Sequence, residues 1–230
     1  MLVIFEDEHL IAVDKPPGIS VIPERARPKE ECLKAMMEKE LGVPLYVVHR
    51  LDKDTSGVIV FAKTQEAHRG LCMGFEEREV KKVYVARVIG IPKEKRFQCN
   101  VPIGEGRKGK MRVFGRDAKP ALTHFFWVQE KEQGDTSLLL ASPVTGRRHQ
   151  IRVHLAFLGL LVVGDNLYGG LAFRTSTEKP YDLLVPPEGK LLLRAWQLRL
   201  QHPITKSPLL LVADLPKWAK EAERYLDESF

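Results

Sequence analysis

The hydrophobic pattern of this chain consists mainly of short apolar runs separated by polar turns. Residues 2–5 and 10–13 flank an acidic turn and predict an opening hairpin. Residues 81–90 alternate between two faces, which is the period of a strand. Further strands are predicted over residues 45–48, 58–62, 121–127, 138–141, 191–193 and 209–212.

Apolar residues at helical spacing mark the remaining elements. Helices are predicted over residues 28–41, 64–79, 147–159 and 216–225. Gly42 is placed to end the first helix, and Thr64 to cap the start of the second. In the third helix, Ile151, Leu155 and Leu158 form the predicted inward stripe.

Strands and helices are interspersed, and short turns often join neighbouring strands. This arrangement favours an α+β fold with a mixed, largely antiparallel central sheet flanked by helices and loops. A chain of 230 residues can build one sizeable core, or two lobes that share a sheet. No repeat or linker divides the sequence, so we expect a single domain over residues 1–230.

The composition limits the kinds of binding partner and the cellular compartment that we expect. The formal net charge of +6 fits either a solvated surface or a polyanionic partner such as RNA or DNA. Cys32, Cys72 and Cys99 have no CxxC spacing and predict reduced cytosolic thiols. No apolar run reaches ~18 residues, and no signal peptide opens the chain, so we expect a cytoplasmic protein without a membrane partner.

The segment 104–120 concentrates the positive charge of the chain. Its cationic residues are Arg107, Lys108, Lys110, Arg112, Arg116 and Lys119. They alternate with glycines and one aromatic residue, Phe114. A flexible solvated loop would have this composition, and so would an arm that lies along a phosphate backbone. We predict the arm, with Arg107, Lys108, Lys110 and Arg112 as RNA-binding residues.

The loop 48–57 connects two apolar strands but is dense in polar residues. Asp52 and Asp54 suggest a metal site or an acid–base pair, yet no third carboxylate accompanies them. An Asp among cations stays ionised, which suits a nucleophile, although pairing with an Arg would need the same environment.

His149 and His154 are five residues apart with no carboxylate between them, so they predict no metal site. No GxxxxGK[ST] motif indicates a nucleotide cofactor.

Five blocks of sequence resemble the motifs of the RluA-type RNA pseudouridine synthases. His49-Arg50-Leu51-Asp52 followed by Thr55-Ser56-Gly57 is similar to HRLDxxTSG. The other blocks are Asp14-Lys15-Pro16-Pro17-Gly18, Lys82-Val83-Tyr84-Val85-Ala86, Thr145-Gly146-Arg147 with His149 to His154, and Gly164-Asp165 with Tyr168-Gly169. They resemble DKPxG, KxYxA, TGRxHQIRxH and GDxxYG, and they occur in the order of the family.

The resemblance implies a role for five residues. Asp52 corresponds to the essential catalytic Asp, and Arg152 to the basic residue that pairs with it. Tyr84 corresponds to the tyrosine that stacks on the target base and assists proton removal from carbon 5. Arg50 matches the position that enters the RNA stack as the base leaves, and His49 shapes the same loop. Residues 191–193 are expected to supply an apolar wall beside the uracil.

The resemblance also implies the activity, which is isomerisation of uridine to pseudouridine in tRNA, ribosomal RNA or both. The reaction oxidises nothing, so no cofactor or metal is expected. We expect a monomer with its active-site cleft between two lobes, and without the RNA-binding domain that precedes the catalytic domain in many relatives. The alternatives are a catalytically idle RNA-binding or chaperone protein on the same scaffold, and a metal-dependent RNA hydrolase that uses Asp52 and Asp54.

Overall fold

The computed structural model describes residues 1–23, 31–128, 136–169 and 191–226. The strands are β1 (Val3–Glu6), β2 (Leu10–Lys15), β3 (Tyr46–Val47), β4 (Ser56–Ala62), β5 (Lys81–Ile89), β6 (Arg96–Cys99), β7 (Ile103–Glu105), β8 (Met111–Val113), β9 (Arg116–Lys119), β10 (Thr123–Val128), β11 (Thr136–Pro143), β12 (Leu161–Val162), β13 (Leu193–Gln201) and β14 (Pro208–Val212). The helices are α1 (Leu33–Leu41), α2 (Gln65–Glu76) and α3 (Gln150–Phe157), with 3₁₀ segments at Arg107–Gly109 and Lys217–Tyr225. The predicted α+β class with mixed, largely antiparallel strands is confirmed.

The described residues form two compact units. The first unit contains Met1–Lys82 and Arg194–Asp214. Its strand order is β1-β2-β4-β13, β3 also pairs with β4, and β14 pairs with β13. All these pairings are antiparallel except that of β4 with β13, which is parallel.

Strand β4 forms the centre of the first unit. It continues as an unbroken apolar run from Val58 to Ala62, in which every side chain is buried, as expected for a strand covered on both faces. Helix α2 packs on β4 and starts where predicted, because the Thr64 side chain accepts the Ala67 N–H at 3.2 Å. Helix α1 ends at Gly42 as predicted, in the left-handed conformation with φ +70.

The second unit contains the described residues of Val83–Leu193 and Leu215–Phe230. Its larger sheet has the antiparallel order β5-β11-β10-β6, and β12 also pairs with β5. Ile151 and Leu155 of α3 pack against Ala86, Phe125 and Leu139 of this sheet. A second, smaller antiparallel sheet has the order β8-β7-β9.

The smaller sheet corrects the prediction for residues 104–120. We expected a flexible loop or an extended arm, but β7, β8 and β9 order most of this segment into a sheet. Its backbone approaches too closely for side chains at two glycines, because a Cβ on Gly104 would lie 2.3 Å from the Arg116 oxygen. A Cβ on Gly115 would lie 2.6 Å from the Glu105 oxygen. These glycines therefore serve close packing, whereas the sequence analysis attributed them to flexibility. We call residues 103–119 the basic sheet below.

The third predicted helix was wrong in its start and in its inward stripe. Helix α3 begins at Gln150, because His149 takes a left-handed conformation with φ +56 and forms a turn with Arg148. Ile151 and Leu155 are buried as predicted, but Leu158 is 38% exposed. Three polar residues of the helix, Gln150, Arg152 and His154, are buried instead.

Other boundaries also differ from the predictions. Helix α1 begins at Leu33, and residues 28–30 lie outside the described part of the chain. Strand β13 continues well beyond the predicted 191–193, because its polar residues interrupt the apolar pattern although nearly all of its side chains are buried. Strand β6 was missed because it is only four residues long and lies at a sheet edge, although Phe97 and Cys99 alternate with Arg96 and Gln98. The predicted tail helix is a 3₁₀ segment.

Candidate active site

Asp52 begins a tight turn between β3 and β4 in the first unit. The Thr55 N–H donates to the Asp52 carbonyl oxygen at 3.1 Å, with Lys53 and Asp54 at the corner. The Asp52 side chain is half-buried, whereas that of Asp54 is exposed. The turn therefore presents two carboxylates in different environments, and Asp52 is the more enclosed of the two.

A buried lysine anchors this turn from the opening hairpin. The Lys15 side chain is fully buried, and its ammonium donates to the carbonyls of Pro16 at 2.9 Å, Ile19 at 2.8 Å and Lys53 at 2.8 Å. Burial lowers the pKa of Lys15 to about 8, while the charges of Asp54 and Asp52 act in the opposite direction. Three carbonyl acceptors also favour the ammonium form, so we assign Lys15 a positive charge at neutral pH.

The end of the turn is fixed by contact with β13. Gly57 has φ +109, and a Cβ there would lie 2.0 Å from the Ala195 carbonyl oxygen. Only glycine fits so close to the neighbouring backbone. The adjacent Arg194 forms an ion pair with the Asp14 carboxylate, and its Nε donates to the backbone carbonyl of Asp214 at 2.8 Å. The segment 55–57 is therefore held by backbone packing and by a largely buried ion pair.

His49 supports the loop as a neutral group. Its Nε2 accepts the Val60 N–H at 3.1 Å, and its ring stacks on Phe75 with a centroid distance of 4.8 Å. Burial, and secondarily the charge of Lys82, lower the pKa of His49 to about 3. These contacts fit a residue that shapes the loop, and a direct role of His49 in base flipping stays a prediction. The Arg50 side chain is exposed, as an RNA-contacting residue would have to be.

Arg152 lies on α3 in the second unit and forms a buried ion pair with Asp165. Its Nε and one terminal nitrogen donate to the two carboxylate oxygens at 2.7 and 2.8 Å. Only 7% of the Arg152 side chain and 1% of the Asp165 side chain are exposed. The backbone N–H groups of Leu167 and Tyr168 also donate to Asp165, at 3.0 and 3.1 Å. Asp165 thus orients Arg152, a role that the sequence analysis did not assign to it. The predicted pairing of Arg152 with Asp52 stays a prediction.

Tyr168 joins three parts of the second unit. The Arg152 guanidinium carbon lies 5.1 Å from the centre of its ring, a cation–π contact. Its hydroxyl accepts the Met111 N–H of the basic sheet at 3.1 Å and hydrogen-bonds to His149 Nδ1 at 2.7 Å. The hydroxyl therefore links the basic sheet to the turn that precedes α3.

A chain of buried hydrogen bonds positions α3. The Gln150 oxygen accepts the Thr145 hydroxyl at 2.6 Å, and its nitrogen donates to the Thr123 hydroxyl oxygen at 3.0 Å. Thr123 bonds in turn to His154 Nδ1 at 2.9 Å, and His154 Nε2 donates to the Val101 carbonyl at 3.0 Å. Burial lowers the pKa of His154, which fits the neutral form that this pattern requires. The network fixes the helix that carries Arg152.

Tyr84 and residues 191–193 belong to the core region of the second unit. Tyr84 pairs with Ala141 across β5 and β11, and its partly buried ring packs against the hydrophobic cluster around Leu139. Leu191 and Leu193 are members of the same cluster. Whether they flank a bound uracil stays a prediction.

The predicted RNA-binding cations lie on the basic sheet with exposed side chains at Arg107, Lys110 and Arg112. Lys110 donates to the Leu167 carbonyl at 2.8 Å, so it also ties the sheet to the loop that holds Arg152. The side chain of Lys108 lies outside the described part of the structure.

Within the described ranges, no His, Cys, Asp or Glu residues group as a metal site would require. No described helix is long and apolar enough to cross a membrane.

The sequence analysis did not assign the residues that support the predicted site. Lys15, Asp165 and Tyr168 all lie in motifs that it identified, but it gave them no role. Their place in these motifs was the one available sign that they matter. It did not show their partners, since Lys15 binds the carbonyl of Lys53 and Asp165 binds Arg152. Charge pairing across such distances cannot be read from spacing.

Comparisons with known proteins place these residues in a family. The family model for RNA pseudouridylate synthases matches residues 9–157. The dual-specificity RNA pseudouridine synthase RluA of Escherichia coli (strain K12) is 34% identical over 205 residues, which are 88% of both chains. The ribosomal large subunit pseudouridine synthase D of Nitrosomonas europaea is 41% identical over 220 residues. Those residues are 93% of this chain but 62% of that relative, so this chain spans less than two thirds of its length.

Solved structures agree with the sequence comparisons. Human RNA pseudouridylate synthase domain containing 4 superposes with a TM-score of 0.72 and 26% identity, over 98% of this chain and 92% of that one. Human RNA pseudouridylate synthase domain containing 1 gives a TM-score of 0.74 and 25% identity, over 94% and 83%.

Proposed function

Because the chain belongs to the RluA-type RNA pseudouridylate synthase family, we propose that it converts specific uridines of tRNA, ribosomal RNA or both to pseudouridine. The observation that supports this most is the clamped turn at Asp52, which lies inside the matched region 9–157. The choice between tRNA and ribosomal RNA is left to experiment, because one relative is named for the large ribosomal subunit and the other for dual specificity.

The reaction rearranges a nucleoside without consuming any other molecule. The bond between uracil N1 and ribose C1′ breaks, the uracil rotates, and a bond forms between C5 and C1′. The proton on C5 leaves, and N1 gains one. Atoms and electrons balance within the nucleotide, so an acid–base and nucleophilic site is sufficient.

Asp52 carries the chemistry in this proposal. Its carboxylate has three possible first steps, which are attack on ribose C1′, attack on the uracil ring, and removal of a ribose proton to give a glycal-like intermediate. All three need an ionised carboxylate in a fixed position. The Lys15 bond to the Lys53 carbonyl supports this requirement, because it fixes the peptide that follows Asp52. We assign Arg152 as the cation that orients Asp52, supported by its buried, charged state.

Tyr84 and Arg50 handle the target base. A uridine stacked in RNA must leave the stack to be modified, at a cost of a few kcal/mol. The half-buried ring of Tyr84 would stack on the extruded uracil, and its hydroxyl would assist removal of the C5 proton. The exposed guanidinium of Arg50 would enter the vacated position and stack on the neighbouring bases, which offsets part of that cost.

Mapping pseudouridines in total RNA of a deletion strain tests the proposal and finds the target. We expect at least one site in tRNA or ribosomal RNA to lose its pseudouridine. Expression of the wild-type chain should restore it, and the Asp52→Ala variant should not. Asp54→Ala is the matched control, because it removes the same charge from the same turn and should restore the site.

Two results would contradict the proposal. If Asp52→Ala restored the modification, the catalytic assignment would be wrong. If the purified wild-type protein bound RNA but formed no pseudouridine in it, the idle RNA-binding alternative would replace the enzyme.

A further inference from the structure

The tip of the basic sheet exposes an aromatic ring. Phe114 is 65% exposed, the largest value among the exposed large hydrophobic residues of the described chain. It lies in the turn between β8 and β9. A single exposed apolar side chain is common at a protein surface, so this ring becomes a candidate contact only together with its backbone conformation and its charged neighbours.

The backbone at this tip is fixed. The Phe114 N–H donates to the Pro102 carbonyl at 2.9 Å, and the backbone that follows it at Gly115 passes against Gly104 and Glu105. Phe114 itself has φ +51, a left-handed conformation that is unfavourable for a bulky residue and easy for glycine or asparagine. The chain therefore carries an aromatic residue where a smaller one would fit the backbone better, and such strain is typical of functional positions.

The charges around Phe114 indicate the class of partner. Segment 104–120 has six cationic and two acidic residues. Arg116 is engaged, because it forms ion pairs with Glu105 and Asp117. Arg112, two residues before Phe114, is exposed, and its Nε lies 3.4 Å from the Val113 carbonyl oxygen of its own strand. A protein-docking patch would have apolar neighbours, whereas a ring among cations fits single-stranded RNA, whose bases stack while the phosphates are neutralised.

We propose that Phe114 stacks on an unpaired base of the RNA substrate outside the target uridine, with Arg112 on an adjacent phosphate. This inference rests on the proposed function only in taking RNA as the substrate. It makes the tip a determinant of which RNA is bound, because a fully paired helix offers no base face to the ring.

Fluorescence anisotropy with two RNA probes tests the proposal. One probe is a hairpin with a seven-nucleotide uridine-containing loop, and the other is a perfectly paired duplex with the same number of phosphates. Phe114→Ala should weaken binding of the hairpin by roughly five- to 150-fold, the range expected for loss of one stacked base. Binding of the duplex should change less than about two-fold, since phosphate contacts remain.

Matched variants separate stacking from other effects. Phe114→Trp keeps a stacking surface and should restore hairpin affinity, whereas Phe114→Leu keeps apolar bulk and should not. Met73→Ala removes a ring-free side chain that is 52% exposed on α2, and should leave both affinities unchanged. Phe114→Ala should leave the salt dependence of hairpin binding unchanged, because it removes no charge.

Three outcomes would overturn the inference: unchanged hairpin affinity for Phe114→Ala, equal losses for hairpin and duplex, and full rescue by leucine. The proposed function can fail independently of this inference. That would be the result if the wild-type protein formed no pseudouridine while its affinity for the hairpin still depended on the Phe114 ring.

Discussion

The turn at Asp52 and the basic sheet are both polar, glycine-containing segments, but the chain holds them in different ways. The turn is anchored from inside by a fully buried lysine and by a glycine pressed against β13. The sheet is held by backbone pairing and close glycine contacts, and its charges remain at the surface. A reacting carboxylate needs a fixed position, whereas phosphate contacts need accessible charge. The two constructions therefore match the two functions that we propose for them.

The largest difference in the free energy of unfolding should come from replacing one glycine in the Asp52 turn and one in the basic sheet. Gly57→Ala would place a Cβ 2.0 Å from the Ala195 oxygen at φ +109, so β4 and β13 would have to separate. We expect a loss of more than about 3 kcal/mol in the free energy of unfolding, or no folded protein at all, as measured by urea denaturation.

Gly109 in the basic sheet is the control. It has φ +71, but a Cβ there would have nothing within 4 Å. Gly109→Ala should therefore cost only about 1 kcal/mol, the strain of the left-handed backbone alone. Equal losses for the two variants would show that contact with β13 does not hold the turn.

The next largest effect on the free energy of unfolding should come from Lys15, compared with an exposed lysine of the basic sheet. Lys15→Met would leave the carbonyls of Pro16 and Ile19 without the ammonium that binds them, and we expect a loss of about 2 to 4 kcal/mol in unfolding free energy. The exposed Lys119 on the basic sheet provides the comparison, since Lys119→Met should change stability by less than about 0.5 kcal/mol. If the Lys15 variant were as stable as the wild type, the buried anchor would have no structural role.

The pKa of His49 gives the first unit a specific pH dependence. In the folded state this pKa is lowered to about 3 from 6.5, so between these pH values the unfolded chain binds a proton that the folded chain does not. Stability attributable to His49 is therefore complete above pH 6.5 and is lost as the pH falls toward 3. The slope is at most about 1.4 kcal/mol per pH unit. We expect His49→Gln to flatten the wild-type profile of unfolding free energy by about that amount in this window.

The control for this prediction is the same measurement above pH 7. There the variant and the wild type should show parallel profiles, because His49 is neutral in both states. Parallel profiles over the whole range from pH 3 to 7 would contradict the neutral, buried role of His49.

The smallest effect on stability should come from the cations of the basic sheet. Replacing Arg107, Lys108, Lys110 and Arg112 by glutamine should change the unfolding free energy by no more than about 1 kcal/mol, since the side chains of Arg107, Lys110 and Arg112 are exposed. RNA affinity should nevertheless fall, and the slope of log K against log salt should decrease by about 3. Lys39→Gln with Arg69→Gln, exposed in the first unit, should leave that slope unchanged. An unaltered salt slope in the fourfold variant would exclude the sheet as a phosphate-binding surface.

The same comparison shows what sequence could predict. The two strands that flank the Asp52 turn, the cap at Thr64 and the alternation of β5 were all recognisable, because burial and capping follow local patterns. The basic segment was predicted to be an arm because the positive charge of the chain is concentrated there, and no sheet was recognised between its glycines. Their actual role is close packing against strands elsewhere in the sheet, which depends on tertiary contacts that no local pattern reports.

The candidate site divides in the same way. Asp52, Tyr84 and Arg152 could be identified from motif resemblance, since each motif is contiguous. Partners such as Asp165 for Arg152 and Lys15 for the Asp52 turn could not be assigned, because they bind across long stretches of chain. The sequence indicated the residues that we propose to react, and the structure adds contacts that hold Arg152 and the Asp52 turn in place.

The central claim is that Asp52, and not its neighbour in the turn, carries the isomerisation. The most direct measurement is a single-turnover assay of pseudouridine formation by the purified protein on the RNA identified in the deletion strain. The account predicts that Asp52→Asn abolishes product formation while RNA affinity and the urea midpoint stay close to wild type. Asp54→Asn should keep the wild-type rate within about three-fold, which corresponds to less than 1 kcal/mol in the barrier. Product formation by the Asp52 variant, or an equal loss in both variants, would contradict the account.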